Sequence, residues 1–182
     1  MKKDKLIEIS KEIETHYQMK VEDIPSLDLY MDQILTLFDE KLKDTKRYDD
    51  DKILTKTMIN NYSKAGVISS VKGKKYTKEQ IIQMMIVYAL KNQLSISEIK
   101  QVTSPIYEKE ISLEKIYNDF LDIENKNENI LTSIIEKYIS INNLNLNNDE
   151  NRLTTLLVLS SLSTQINEVM EKIVDDFYKE EK

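Results

Sequence analysis

At 182 residues the chain can bury a real core, either as one compact domain or as two small interlocked ones. It has no Cys, which excludes disulfides and thiolate metal sites and favours a cytoplasmic location. Only two Gly and two Pro are present, too few turn residues for a strand-rich fold. The net charge of −6, taken as a whole, argues against nucleic acid as a partner.

In chain order, the opening MKKDKLIEISKEIE carries charges inside its apolar positions and does not read as a signal peptide. Leu6, Ile9, Ile13 and Tyr17 fall at helical spacing, which predicts an amphipathic helix over 3–19. Pro25-Ser26 is expected to open a second helix, with Leu27, Tyr30, Met31, Ile34, Leu35 and Phe38 on its apolar face. The polar, aperiodic stretch 43–52 reads as an exposed linker.

Thr55 can cap a third helix that runs to Ala65 and ends at Gly66 in a left-handed C′ conformation. Residues 67–76 read as a short β-hairpin, with Val67-Ile68 on one arm, Lys75-Tyr76 on the other and Gly73 near the turn. Thr77 to Gln80 and Ser95 to Glu98 are two capping boxes. The first opens a helix carrying Ile81, Ile82, Met84, Met85, Tyr88, Ala89 and Leu90; the second opens a short helix expected to stop before Pro105. Met84-Met85 reads as core filler. Three further helices are expected near 113–124, 129–141 and 150–179, separated by Asn-rich stretches with no assigned role. No apolar run approaches the ~20 residues needed to span a bilayer, so no membrane association is expected.

Charge is unevenly spread. Residues 1–40 carry 5 basic and 10 acidic side chains, and residues 106–182 carry 8 and 16. From Thr55 to Lys78 there are six lysines (56, 64, 72, 74, 75 and 78) and no Asp or Glu. Such a cationic island can face phosphate while the acidic flanks are repelled by it; the bland alternative is a solvated lysine-rich face.

The order helix, turn, short helix, hairpin, helix, capped short helix resembles the winged helix-turn-helix of MerR-type regulators. The match runs through Thr55 as cap, Ile59 and Tyr62 in the recognition helix, and Gly66 before Val67-Ile68. It continues through Lys74 in the wing, Tyr76-Thr77-Lys78-Glu79 and Ser95-Ile96-Ser97-Glu98-Ile99. It departs from the pattern at Asn60, where the recognition helix of that family carries Arg, at Asn61, where it carries an aromatic, and in the linker 43–52. Over most of the chain, IPSLDLYMDQILTLFDEKL, LTKTMINNYSKAGVI, KKYTKEQI and LKNQLSISEI resemble an uncharacterised bacterial family called domain of unknown function 1836.

The expected fold class is therefore mostly all-α: N-terminal helices plus a MerR-like winged helix-turn-helix in 1–105 (core 26–103, wing 67–76), then a C-terminal helical dimerisation or effector bundle in 106–182. The expected function is a sequence-specific, double-stranded-DNA-binding transcriptional regulator with helix 56–65 in the major groove. Asn60 and Asn61 suit bidentate contact with adenine, and Tyr62 either packs inward or reaches a phosphate. Thr55, Lys56, Thr57, Lys64, Lys72, Lys74, Lys75 and Tyr76 complete the contact set, the lysines on the sugar-phosphate backbone. The alternative is a non-enzymatic protein-interaction module on the same scaffold, and a ligand-binding bundle in the C-terminal half is a third option.

No enzyme signature is present: there is no Gly-rich phosphate loop, nucleophile elbow or H-E-x-x-H, and His16 stands alone. No cofactor is expected, and no effector can be named. In the helix 150–179, Leu156, Leu159, Ser163, Ile166, Met170, Ile173 and Phe177 step by three and four. That spacing suits a homodimer seam or packing on the chain's own helices.

Overall fold

A computed structural model describes residues 3–14, 19–71, 73–127 and 129–178. His16 and Lys72 lie outside them. The elements are α1 (Lys3–Glu14), β1 (Leu29–Tyr30), α2 (Met31–Lys41), α3 (Lys56–Ala65), β2 (Lys75–Tyr76), α4 (Lys78–Leu90), α5 (Ile96–Glu108), α6 (Leu113–Lys126), α7 (Ile130–Asn142) and α8 (Asp149–Phe177). The protein is mostly helical, with one two-stranded antiparallel sheet among the described residues. No helix among them is long and apolar enough to cross a membrane.

The chain divides into two compact units. One comprises residues 1–16 and 123–170, the other residues 17–122 and 171–182. The N-terminal helix thus groups with the C-terminal helices.

In the larger unit, α4 is apolar around most of its circumference. Ile81, Ile82, Met84, Met85 and Val87 are all buried, as befits a central helix, and the methionines are core filler as expected. Phe38 of α2 meets Tyr88 of α4 edge-on at 6.4 Å, and the Tyr88 hydroxyl lies 2.9 Å from Thr45 Oγ1. The stretch 43–52 is largely exposed but turned, by a 3-10 turn at Lys43–Thr45 and by Asp51 accepting from the Arg47 and Tyr48 N–H groups. Ile53 and Leu54, just beyond it, are buried.

Three sequence expectations are corrected here. The helix expected from Pro25-Ser26 begins only at Met31, because Leu29 and Tyr30 are extended and pair with Tyr76 and Lys75. Gln33 Oε1 accepts the Tyr30 N–H at 2.9 Å at that start, and Leu27 is left 77% exposed. The hairpin within 67–76 does not form, since β2 takes its partner from β1. Finally, α5 does not stop before Pro105 but continues to Glu108. Pro105 has no N–H to offer Gln101, yet Ile99 and Thr103 are buried on one side of it. On its other side the Tyr107 hydroxyl donates to Val67 O at 2.9 Å, so tertiary contacts hold the helix through the proline. The helix closes in a Schellman motif, with Ile111 N–H to Ile106 O, Glu110 N–H to Tyr107 O and Glu110 at φ 51°.

In the smaller unit, Leu6 of α1 packs with Ile135 and Ile139 of α7 and with Leu144, flanked by Val158 and Leu159 of α8. Glu14 of α1 caps α7 from a distance, accepting the Thr132 N–H (2.8 Å) and hydroxyl. Asn148 caps α8 by accepting the Asn151 N–H at 2.8 Å, and Asn145 O accepts from the buried Thr155 hydroxyl. Two of the asparagines that carried no message as a run therefore have work, one capping the start of α8 and one taking up a buried hydroxyl.

Candidate nucleic-acid interface

Local chemistry fixes α3 at both ends. Thr55 Oγ1 accepts the Met58 N–H at 3.2 Å. Gly66, at φ 75°, closes the helix in a Schellman motif, with its own N–H to Ser63 O and the Val67 N–H to Tyr62 O. Between these caps the helix has two faces. Ile59 and Tyr62 are buried. Lys56, Thr57, Asn60, Asn61 and Lys64 are exposed, and at 100° per residue they share one arc of the helix. The Tyr62 side chain therefore packs inward, and burial raises its pKa.

The lysine-bearing loop after α3 is held by side chains rather than by a strand. Gln83 Oε1 accepts the Ser69 N–H (2.8 Å) and hydroxyl (3.1 Å). Gln80 Nε2 donates to Ser69 O (3.0 Å) and Ser70 O (3.1 Å). Val67 O accepts from Tyr107, and the Ile68 N–H reaches Tyr62 O. With these backbone groups spoken for, 67–70 has little left to offer Lys75-Tyr76, which is the physical reason the hairpin is absent. Gln80 also accepts the Thr77 N–H at 2.9 Å while Thr77 Oγ1 accepts the Gln80 N–H, so one buried glutamine both caps α4 and straps the loop.

Beyond the loop, Gly73 (φ 94°), Lys74 and Lys75 are exposed. Lys75 Nζ sits 4.9 Å from the Tyr30 ring centre. Tyr76 is buried with its hydroxyl 3.9 Å from Met31 Sδ, and burial raises its pKa. Of the expected contact residues, then, Lys56, Thr57, Asn60, Asn61, Lys64, Lys74 and Lys75 face solvent. Thr55 is half-buried in its capping role, and Tyr62 and Tyr76 belong to the core.

Sequence reasoning missed several partners of this surface. Asp32 of α2 pairs with Lys56 at 2.6 Å. Lys100 of α5 is also exposed, and its Nζ would lie 3.5 Å from a Cβ added at Gly66, which brings a further cation to the end of α3. Neither carries a local sequence signal, because each reaches α3 from a distant element. Gln80 was visible as a capping residue, but its second task of binding the 69–70 carbonyls was not.

A family model described as "Domain of unknown function (DUF1836)" matches residues 19–120. The chain belongs to that family. The matched segment covers more than half of the sequence and nearly coincides with the stretch 17–122 of the larger unit, so α3 and its loop lie inside the family domain. No curated protein and no solved structure matches the chain.

Proposed function

We propose that this family domain binds duplex DNA as a MerR-like winged helix-turn-helix, placing α3 in the major groove. One observation carries the reading: the outward arc of α3 holds Lys56, Thr57, Asn60, Asn61 and Lys64 on a helix capped at both ends and seated on a buried face, within a span free of acidic residues. Ten residues make a helix about 15 Å long, which suits a groove about 12 Å wide. Asn60 and Asn61 carry the amide pair that matches adenine N6 and N7, while Lys64, Lys74 and Lys75 serve the phosphates on either side. The β1–β2 pair fixes the far end of the lysine loop in place of a self-contained wing.

The test is a selection of bound duplexes from random DNA by the full chain, followed by a salt titration. A selected sequence should emerge, and log K should fall with log salt by about 0.9 per neutralised phosphate. Failure to bind any duplex in a salt-sensitive way would sink the proposal. The Lys56–Asp32 pair and the acidic remainder of the chain favour a second reading, a protein-interaction module. Lys74→Glu with Lys75→Glu separates the two: loss of DNA binding with the fold intact supports the first, and loss of a protein complex alone supports the second.

A further inference from the structure

Within the smaller unit, α8 spends its apolar residues on two opposite faces. Thr155 is buried, and Val158 and Leu159 pack against Leu6, Ile135, Ile139 and Leu144. On the reverse face Leu153, Leu156 and Leu157 are each 60% or more exposed, and the same stripe continues one and two turns on through exposed Ser160, Ser163 and Thr164. From Leu153 to Asn167 there is no charged residue, a run of fifteen, or about 22 Å of helix. Charges crowd both ends: Asp149, Glu150 and Arg152 before it, then Glu168, Glu171, Lys172, Asp175 and Asp176 after it. A solvated helix face normally carries charge, whereas depletion of charge marks the centre of an interface.

We infer that this outward face of α8, Leu153 to Thr164, is a homodimer surface on which a second copy of the chain docks antiparallel. Two features choose a second copy. A chain of net charge −6 repels its like, and this uncharged face is where two copies approach with least repulsion. The face also complements itself. Its large residues sit in one half and its small ones in the other, so a two-fold axis near Ser160 lays the leucines of each copy over Ser163 and Thr164 of the other. The small Ser160 pair at the crossing lets the helices close. This face shares Leu156 and Ser163 with the heptad-like seam of the sequence but leaves out its half-buried Leu159 and Met170 and its exposed Ile166, Ile173 and Phe177. The inference is independent of DNA binding and lies outside the family segment 19–120.

A four-turn helix pair buries less than a standard interface of ~1,600 Å², so dissociation in the micromolar range is expected. Sedimentation of the full chain across that range should show a monomer–dimer equilibrium. Leu156→Glu with Leu157→Glu, and separately Ser160→Arg, should each weaken it by about tenfold or more with the circular dichroism unchanged. Ile141→Glu, which adds a negative charge on the exposed part of α7, should leave it unaffected. Because the chain has no native Cys, mixing Leu157→Cys and Thr164→Cys proteins should give a mixed disulfide. A chain that stays monomeric at hundreds of micromolar, equal loss in Ile141→Glu, or cross-linking of Leu157→Cys only to itself would each overturn the proposal. So would a dimer that both α8 variants leave intact.

Discussion

Gln80 reaches back eleven residues to Ser69 and donates to its carbonyl at 3.0 Å from a site only 5% exposed. The same side chain donates to Ser70 O and accepts from Thr77 N–H, so its amide closes the start of α4 and the end of the α3 loop in one step. Gln83 completes the clamp through the Ser69 N–H and hydroxyl. Gln80→Ala would strand two carbonyls and one N–H at about 1 kcal/mol or more apiece, so chemical denaturation should show a loss of about 2–4 kcal/mol. Gln80→Glu should cost a comparable amount, because a carboxylate can still cap Thr77 but can only repel the Ser69 and Ser70 carbonyls. A loss below ~1 kcal/mol for the alanine variant would mean the loop is held by something else.

Asp32 and Lys56 are both well exposed, so their 2.6 Å contact contributes little to stability, within about 0–1 kcal/mol. Asp32→Asn should therefore leave the melting temperature almost unchanged. In a DNA-binding assay it should act in the opposite direction to most substitutions: affinity rises several-fold at low salt, and the salt slope steepens by about 0.9 as Lys56 becomes available to phosphate. An unchanged slope would remove Lys56 from the contact set.

Glu14 supplies the acid test of the smaller unit. Burial pushes its carboxyl upward, but hydrogen bonds from the Thr132 hydroxyl and N–H, with help from the Leu131 N–H and Lys11, outweigh that and hold it below the usual glutamate range. A folded pKa below the unfolded one means stability that is present above the unfolded value of ~4.3 and is lost as pH falls through the folded one. Glu14→Gln should lower stability at neutral pH and flatten its decline below about pH 5. Thermal melts across pH for both proteins check the point; parallel curves would exclude Glu14 as the cause.

At the alkaline end the larger unit should respond. Tyr62 and Tyr76 are raised by burial, and Tyr107 by burial and, to a smaller extent, by Glu79 against a lowering bond to Thr103. Their contribution is full below the unfolded value of ~10 and is lost as pH climbs above it through the folded values. Ultraviolet titration should find these three tyrosines ionising late, together with unfolding.

The parts of this fold that were legible in the sequence are those whose cause is local. Thr55, Thr77 and Ser95 each accept a backbone N–H three residues on, and Gly66 supplies the left-handed turn, so four helix ends followed from side-chain chemistry within one turn. What escaped has causes far away in the chain. Lys75-Tyr76 reads as half of a hairpin until Leu29-Tyr30 is seen beside it, 45 residues upstream. Pro105 reads as a stop until Tyr107 is seen bonded to Val67. Around α3, the spacing set Asn60 and Asn61 outward but left Tyr62 open between core and phosphate, and Tyr76, expected among the contact residues, is buried; Asp32 and Lys100 reach α3 from other helices and left no trace at its own positions.

The short β1–β2 ladder sets a limit on dissection. Tyr30 and Lys75 stand opposite each other, and Lys75 also rests over the Tyr30 ring. A fragment cut to the helix–loop–helix of 55–101 would lose the strand that fixes one end of the lysine loop, exposing the backbone edge of Lys75-Tyr76 to whatever strand comes by. It would also uncover the buried side chains that Ile34 and Phe38 accompany in the core. The smallest autonomous piece that keeps α3 and its loop therefore starts upstream of Leu29, and a shorter peptide that fails in the DNA-binding test would report on its own collapse rather than on the proposed role of α3.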